Sequence, residues 1–357
     1  MDRRMFPFVG LSVASVIMAM TAATLSVAVV SAGGQTPAAP AAKAGKEVAP
    51  APLKKPKPAG QWTAPRTPWG DPDLQGTWNN GTITPLERPR NAGEKELLSK
   101  EEEADVNAQS DTRAERRPEN RAQDVELAYN QFWWDRGASI GRTSLLVDPK
   151  DGRLPPVTPN GQKLLDAQAA ARRGRGAGDS WVDRPLQERC LLYHGVPPLP
   201  TGYNNNYEIV QTPGLVAILH EEIHETRLIP LDGRPHVSSD ITQWLGDSRG
   251  HWEGDTLVVE TTNFRKDTTF RFPVDTAALR IVERFRRVGP DDVDYQFTVD
   301  NPTMYTRPWT AMLPMRHEDG LIYEYACHEG NYAIGHVLAG FRAQEKEAED
   351  AAKSGRK

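Results

Sequence analysis

His220-Glu221-Glu222-Ile223-His224 sets two imidazoles four residues apart with a carboxylate beside the first. A zinc hydrolase uses that spacing to hold one ion and activate water. The chemistry needs an α-helix, because only there do positions i and i+4 share a face at ligand distance. The flanking residues argue for strands instead. Val216, Ile218, Ile223, Leu228 and Ile229 lie between a Pro213-Gly214 turn and an Asp232-Gly233 turn, the pattern of a strand pair. On one uninterrupted strand the two histidines would stand about 13 Å apart. Pro230 also occupies the place of the third ligand in the extended form of the motif. No metal is expected at His220 and His224, and His224 stays available for other chemistry.

A second constellation depends on the two cysteines. Cys190 and Cys327 are an even pair, which in an exported chain favours a disulfide worth about 4 to 5 kcal/mol in the chain-entropy account. The alternative is two unrelated buried thiols. A Cys2His2 zinc site built from Cys190, His194, Cys327 and His328 would require a turn at Cys327, since adjacent strand residues face opposite ways. If the cysteines pair, Tyr193, His194, His328, Glu329 and Asn331 become neighbours. His194 or His328 would then be the catalytic candidates for acid–base work, with Glu329 as orienting carboxylate; Tyr193 and Asn331 would contact the ligand. Two surface loops stapled for stability would look the same in sequence.

Two further stretches offer binding groups. Trp244 to Phe264 reads as a Gly-rich loop before a strand, carrying Asp247, Arg249 and His251, an Asp/His pair and an Arg suited to acid–base chemistry or anion binding, or else to a local turn network. Thr201 to Gln211 places three asparagines between Tyr203 and Tyr207. Tyr203 and Asn205 could bind sugar hydroxyls, or the segment could simply form an irregular turn.

The elements that must hold these groups begin after an export signal. Arg3 and Arg4 precede an apolar run to Val30 and a small-residue site at Val30-Ser31-Ala32, which predicts a signal peptide over 1–32, or else an uncleaved anchor. The twin arginines also resemble a twin-arginine signal. Residues 33–66 are Ala, Pro, Lys and Gly, a disordered tether. The mature protein is therefore expected in the periplasm or secreted, touching a membrane only through that possible anchor. With net charge −5 and scattered basic residues, nucleic acid is not an expected partner. The basic cluster Ala171 to Gly176 reads as a helix C-terminus.

Residues 67–343 read as one β-rich domain followed by a charged tail, 344–357. Ser99 and Glu102 form a capping box, and helices are expected over about 99–135, including Trp133 and Trp134, and over 159–173 after the Thr158-Pro159 cap. Arg142 to Pro159 reads as a hairpin-like edge. Asp71 to Trp78 predicts a turn and a short strand. From Tyr203, strands are expected near 207–212, 215–221, 224–230, 256–263, 279–288, 294–299, 310–317 and 321–327, separated by strong turn signals. The fold class is mainly β, an antiparallel meander closed into a barrel, or alternatively a sandwich, with an N-terminal helical insertion.

Gly-Asp-Pro-Asp-Leu-Gln-Gly-Thr-Trp (70–78), the 142–156 and 204–214 stretches, 227–236, 244–264 and 323–332 together resemble a family of exported acidobacterial and proteobacterial proteins without a settled function. That resemblance carries over no catalytic residue. Gly76-Thr77-Trp78 is also similar to the Gly-x-Trp on the first strand of lipocalin-type barrels, which implies a Trp closing one end below a ligand cavity.

No nucleophile elbow, phosphate loop, dinucleotide fingerprint or EF-hand loop occurs, and no cofactor is implied. The favoured function is a barrel that binds a small molecule; the alternative is an extracytoplasmic hydrolase or lyase using a His/Glu pair.

Overall fold

From Asn206 onward, inward apolar and outward polar side chains alternate with a period of two, so each strand must lay one face on a core. The computed structural model describes residues 62–114, 135–223 and 225–355, which belong to one compact unit, Pro56–Lys357. The export signal, the tether up to residue 61, the Trp133-Trp134 helix and His224 lie outside the described residues.

Ten strands form one antiparallel sheet: β1 (Gly76–Asn79), β2 (Leu146–Asp148), β3 (Asn206–Thr212), β4 (Leu215–His220), β5 (Thr226–Pro230), β6 (Asp247–Glu253), β7 (Thr256–Thr262), β8 (Arg280–Gly289), β9 (Asp292–Asp300) and β10 (Trp309–His317). The order β5-β4-β3-β1-β10-β9-β8-β7-β6 curls into a nearly closed nine-strand barrel, and β2 pairs with the free half of β10. Among the described residues three α-helices lie outside it: α1 (Lys100–Ala114), α2 (Pro159–Arg172) and α3 (Ala333–Lys353). Ser99 and Glu102 exchange the two hydrogen bonds of a capping box at the start of α1. The Thr158 hydroxyl accepts from the Gly161 amide at the start of α2.

The barrel is filled rather than hollow. Phe285, Tyr295, Phe297 and Trp309 point inward, each almost wholly buried, with successive ring centroids 4.7, 5.8 and 5.8 Å apart. Such aromatic pairs add roughly 0.5 to 1.5 kcal/mol each beyond their burial. Trp78 is 0% exposed; its indole N–H donates to the Leu74 carbonyl at 2.8 Å and the Arg287 guanidinium lies 5.2 Å over its ring.

Where β5 meets β6, no backbone ladder joins the edges. Arg227 of β5 reaches inside instead. Its guanidinium pairs with Glu283 of β8 through both oxygens and donates to Ser248 Oγ of β6 and Thr261 Oγ1 of β7, while Tyr295 donates to Glu283 at 2.8 Å. All five side chains are buried. Gly250 of β6 faces the same seam, where a Cβ would come within 2.7 Å of Leu231 and 2.8 Å of Ile229.

That packing explains one correction. Asp247 to Glu253 is a strand, not a Gly-rich loop: its glycine is there for the close approach of β5, and seven residues ladder onto β7. A second concerns Leu321 to Cys327, which forms no strand. β10 already has β9 on one edge and β1 with β2 on the other, so no edge is left for it, and Leu321 and Tyr323 stand 81% and 82% exposed. Third, the 142–159 stretch is no hairpin, because β2 pairs with β10 rather than with its own return. The C-terminal end folds as α3, with Phe341 against Gly178, where a Cβ would sit 2.0 Å from the ring, and Arg342 donating to the Gly178 carbonyl at 2.7 Å. Among the described residues no helix is long and apolar enough to cross a membrane.

Candidate functional site

Antiparallel pairing places most of the long connections at one end. The tight turns β3–β4, β6–β7 and β8–β9 share one end of the barrel, while 80–145, 149–205, 263–279 and 301–308 leave from the other. Backbone that follows no ladder is where binding groups are most easily placed, and a buried polar cluster sits at this second end.

Register builds its floor. Tyr207 opens β3 and stands opposite His220, the last residue of β4. Both side chains point inward, their rings meeting edge to face at 4.9 Å. The chain then turns through Glu221–Ile223, with Ile223 at φ 58°, and the His220 amide bonds the Glu225 carbonyl at 2.8 Å. The described part of the zinc signature, His220 to Ile223, therefore ends a strand and enters a turn, not a helix. Among the described residues no three His, Cys, Asp or Glu side chains are grouped to hold a metal.

The turn instead makes a His–carboxylate pair. Glu225 takes His220 Nδ1 at 3.0 Å on one oxygen, and its carboxylate also accepts from the amides of Tyr193 at 2.5 Å and Gly195 at 3.5 Å. One side chain thus orients His220 and pins the 193–195 segment over the barrel end. That segment delivers His194, its ring 5.6 Å from Tyr207 and 6.2 Å from His220. Neither ring nitrogen of His194, nor Nε2 of His220, nor the Tyr207 hydroxyl meets a partner at full hydrogen-bond geometry, although the Asn204 and Leu199 carbonyls approach the His194 ring and the Asn80 side chain approaches the Tyr207 hydroxyl more loosely. Burial first, then the neighbouring His220, lowers His194 to about 4; the Glu225 charge and the nearby carbonyls of Asn204 and Leu199 oppose the drop without reversing it. His194 is therefore uncharged at neutral pH. Burial, then the Glu225 charge, pushes the Tyr207 hydroxyl well above its ordinary value. Beside this cluster Glu222, also buried, accepts from Gln187 and Asn204 at 3.0 and 3.2 Å, and desolvation raises its pKa.

His194 forms one wall of a cavity of about 90 Å³, with Val196, Leu199, Phe270, Arg271 and Phe272 among the others. The cavity lies between the segment after the disulfide and the long β7–β8 connection. Arg271 ties the two together through the Pro200 carbonyl.

Cys190 and Cys327 are bonded, with Cα atoms 5.8 Å apart. The bond brings Asn331 to the 190 loop, where its amide donates to the Glu188 carbonyl and to Cys190 Sγ. It does not gather the whole proposed set around His194. His328 is exposed, and Glu329 lines a broad groove of about 580 Å³ with Gln187, Glu188, Tyr325 and Asn331, apart from the cavity that His194 lines. Tyr193 belongs to the His194 cavity and stacks on Tyr203 at 6.4 Å. Asn205 serves the turn: fully buried, it donates to the Asp135 and Thr201 carbonyls and accepts from the Thr201 amide.

Asp247, Arg249 and His251 project from the outer face of β6. Asp247 accepts from His236 Nδ1 at 2.7 Å and from the Val237 amide, and pairs with Arg249 at 2.9 Å. His236 also meets Glu260 at 3.3 Å, which tethers the 231–246 connection to the barrel wall. His251 is exposed and pairs with Glu253.

Of the residues that build the cluster, Glu225 and Tyr207 escape a sequence reading, and His220 enters it only as a rejected zinc ligand. The available signal was a His at the end of an apolar strand with a Glu five residues on, across a turn. Comparison with protein-family models, with curated proteins and with solved structures returned no match.

Proposed function

We propose that the protein is an exported small-molecule-binding protein whose site lies at the long-connection end of the barrel, against His194, not in the barrel interior. The observation that carries this reading is a buried imidazole, neither nitrogen in a well-formed hydrogen bond, on the wall of a cavity. Buried polar groups are hydrogen-bonded as a rule, and a ligand supplies the missing partner. The interior is occupied by the aromatic stack and the Arg227–Glu283 pair; Trp309 Nε1 lacks a partner there as well, but it lines neither cavity. The disulfide and the N-terminal sequence support a place outside the cytoplasm.

Thermal-shift measurements on the purified chain against metals, sugars, lipids and small organic acids test the reading. One class should raise the melting temperature, and His194→Phe, which keeps a buried ring, should reduce that rise. A rise unaffected by His194→Phe, or none across the panel, would sink it.

The His220–Glu225 pair favours a second reading, a hydrolase or lyase. Nδ1 is held by a carboxylate and Nε2 is free of partners, the arrangement of an oriented general base. On this reading Glu225→Gln removes turnover while ligand binding persists.

A further inference from the structure

Resting on the binding reading above, we infer that the ligand is a small monocarboxylate with an apolar body and a hydroxyl, its carboxylate on Arg271 and its hydroxyl on His194. Three features of the cavity assign these parts.

Arg271 supplies the charge. The arginines on the outer barrel wall, such as Arg249, Arg280 and Arg284, are paired with carboxylates. Among the described residues none pairs with Arg271, an exposed side chain on the cavity wall. Its Nη1 donates to the Pro200 carbonyl, which fixes the head at the rim and leaves further N–H groups of the planar fork for an incoming anion. A carboxylate matches that fork with two parallel hydrogen bonds.

The walls supply the body. Val196, Leu199, Phe270 and Phe272 present carbon, and about 90 Å³ admits only a short chain. A phosphate has no carbon to lay there and would sit at the rim alone.

His194 supplies the selectivity. A neutral imidazole presents a donor nitrogen on one edge and an acceptor nitrogen on the other, and a hydroxyl, which can accept or donate, suits whichever of the two it meets. A second carboxylate would find at most one N–H and no positive charge, because burial keeps the ring uncharged down to about pH 4. Hence one carboxylate, not two.

Titration calorimetry at pH 7 on the purified chain decides it, using isovalerate, 2-hydroxyisovalerate and 3-hydroxyisovalerate, the amide of each, and inorganic phosphate. At least one hydroxy acid should bind about tenfold or more tightly than its own amide and than isovalerate. Arg271→Gln keeps an N–H for the Pro200 carbonyl and should erase the preference for acid over amide. His194→Phe should erase the preference for the hydroxylated acid while isovalerate still binds. Equal affinity for acid and amide, phosphate binding as well as the acids, or preferences that survive the two variants would overturn the assignment. If no acid binds while the thermal-shift panel yields another, His194-dependent ligand, the chemical class is wrong and the binding reading stands; silence in both experiments removes both.

Discussion

The barrel buries two polar clusters that differ in one respect. Around Arg227, the guanidinium, the Glu283 carboxylate, the hydroxyls of Ser248 and Thr261 and the Tyr295 hydroxyl all find partners within the protein. Around His220, the Glu225 carboxylate is satisfied, yet four polar atoms of His194, His220 and Tyr207 are not. A satisfied network can close a barrel, because breaking it strands a buried charge. An unsatisfied one spends stability, which a protein tolerates where a ligand completes the set. The first cluster sits at a seam between strands and the second at the end where the long connections gather, so topology and hydrogen-bond accounting point the same way.

Removing one partner of the satisfied cluster should have the largest effect. Arg227→Met leaves Glu283 uncompensated in the interior and should cost about 3 to 5 kcal/mol in chemical denaturation, whereas adding Glu283→Leu should return most of that loss. If the single and double variants are equally unstable, the pair is not what closes the seam. His194 should give the next largest effect, through pH. Below pH 6.5 the unfolded chain takes up a proton that the folded chain refuses until about pH 4, so stability is complete above this window and falls as the pH drops through it, by on the order of 3 kcal/mol. In His194→Phe the stability lost between pH 6.5 and 4 should shrink by that amount; an unchanged loss would show that His194 is not held neutral. His220→Phe removes a single hydrogen bond from Glu225, which keeps its two backbone donors, and should cost about 1 kcal/mol. A loss as large as that of Arg227→Met would erase the contrast between the clusters. Smallest is the outer wall, where Arg284→Ala, breaking an exposed pair with Glu253, should change stability by less than about 1 kcal/mol.

Much of the β architecture was legible in local pattern. Apolar alternation with Pro213-Gly214 and Gly289-Pro290 between the runs locates β3 and β4, β8 and β9, because period and turn chemistry are properties of a few adjacent residues. The Ser99–Glu102 capping box is equally local. Asp247 to Glu253 misleads because Gly250 looks like loop glycine, and only the neighbouring Ile229 and Leu231 reveal it as a packing choice. Leu321 to Cys327 misleads in the opposite sense: its residues suit a strand, but both edges of β10, the strand it follows, are taken.

The candidate site was legible only in part. Cys190 and Cys327 advertise their bond by number, and His194 stands out beside it. What the amino-acid order determined by itself were the elements whose causes lie within a few residues of one another, together with an even cysteine count. Tertiary structure alone decided that Arg227 reaches Glu283, that Glu225 turns back on His220 while its carboxylate holds the amides of Tyr193 and Gly195, and that His328 stays at the surface while His194 is buried. Those outcomes follow from strand register and barrel closure, which set residues far apart in the chain at hydrogen-bonding distance and leave no trace in any short window of sequence.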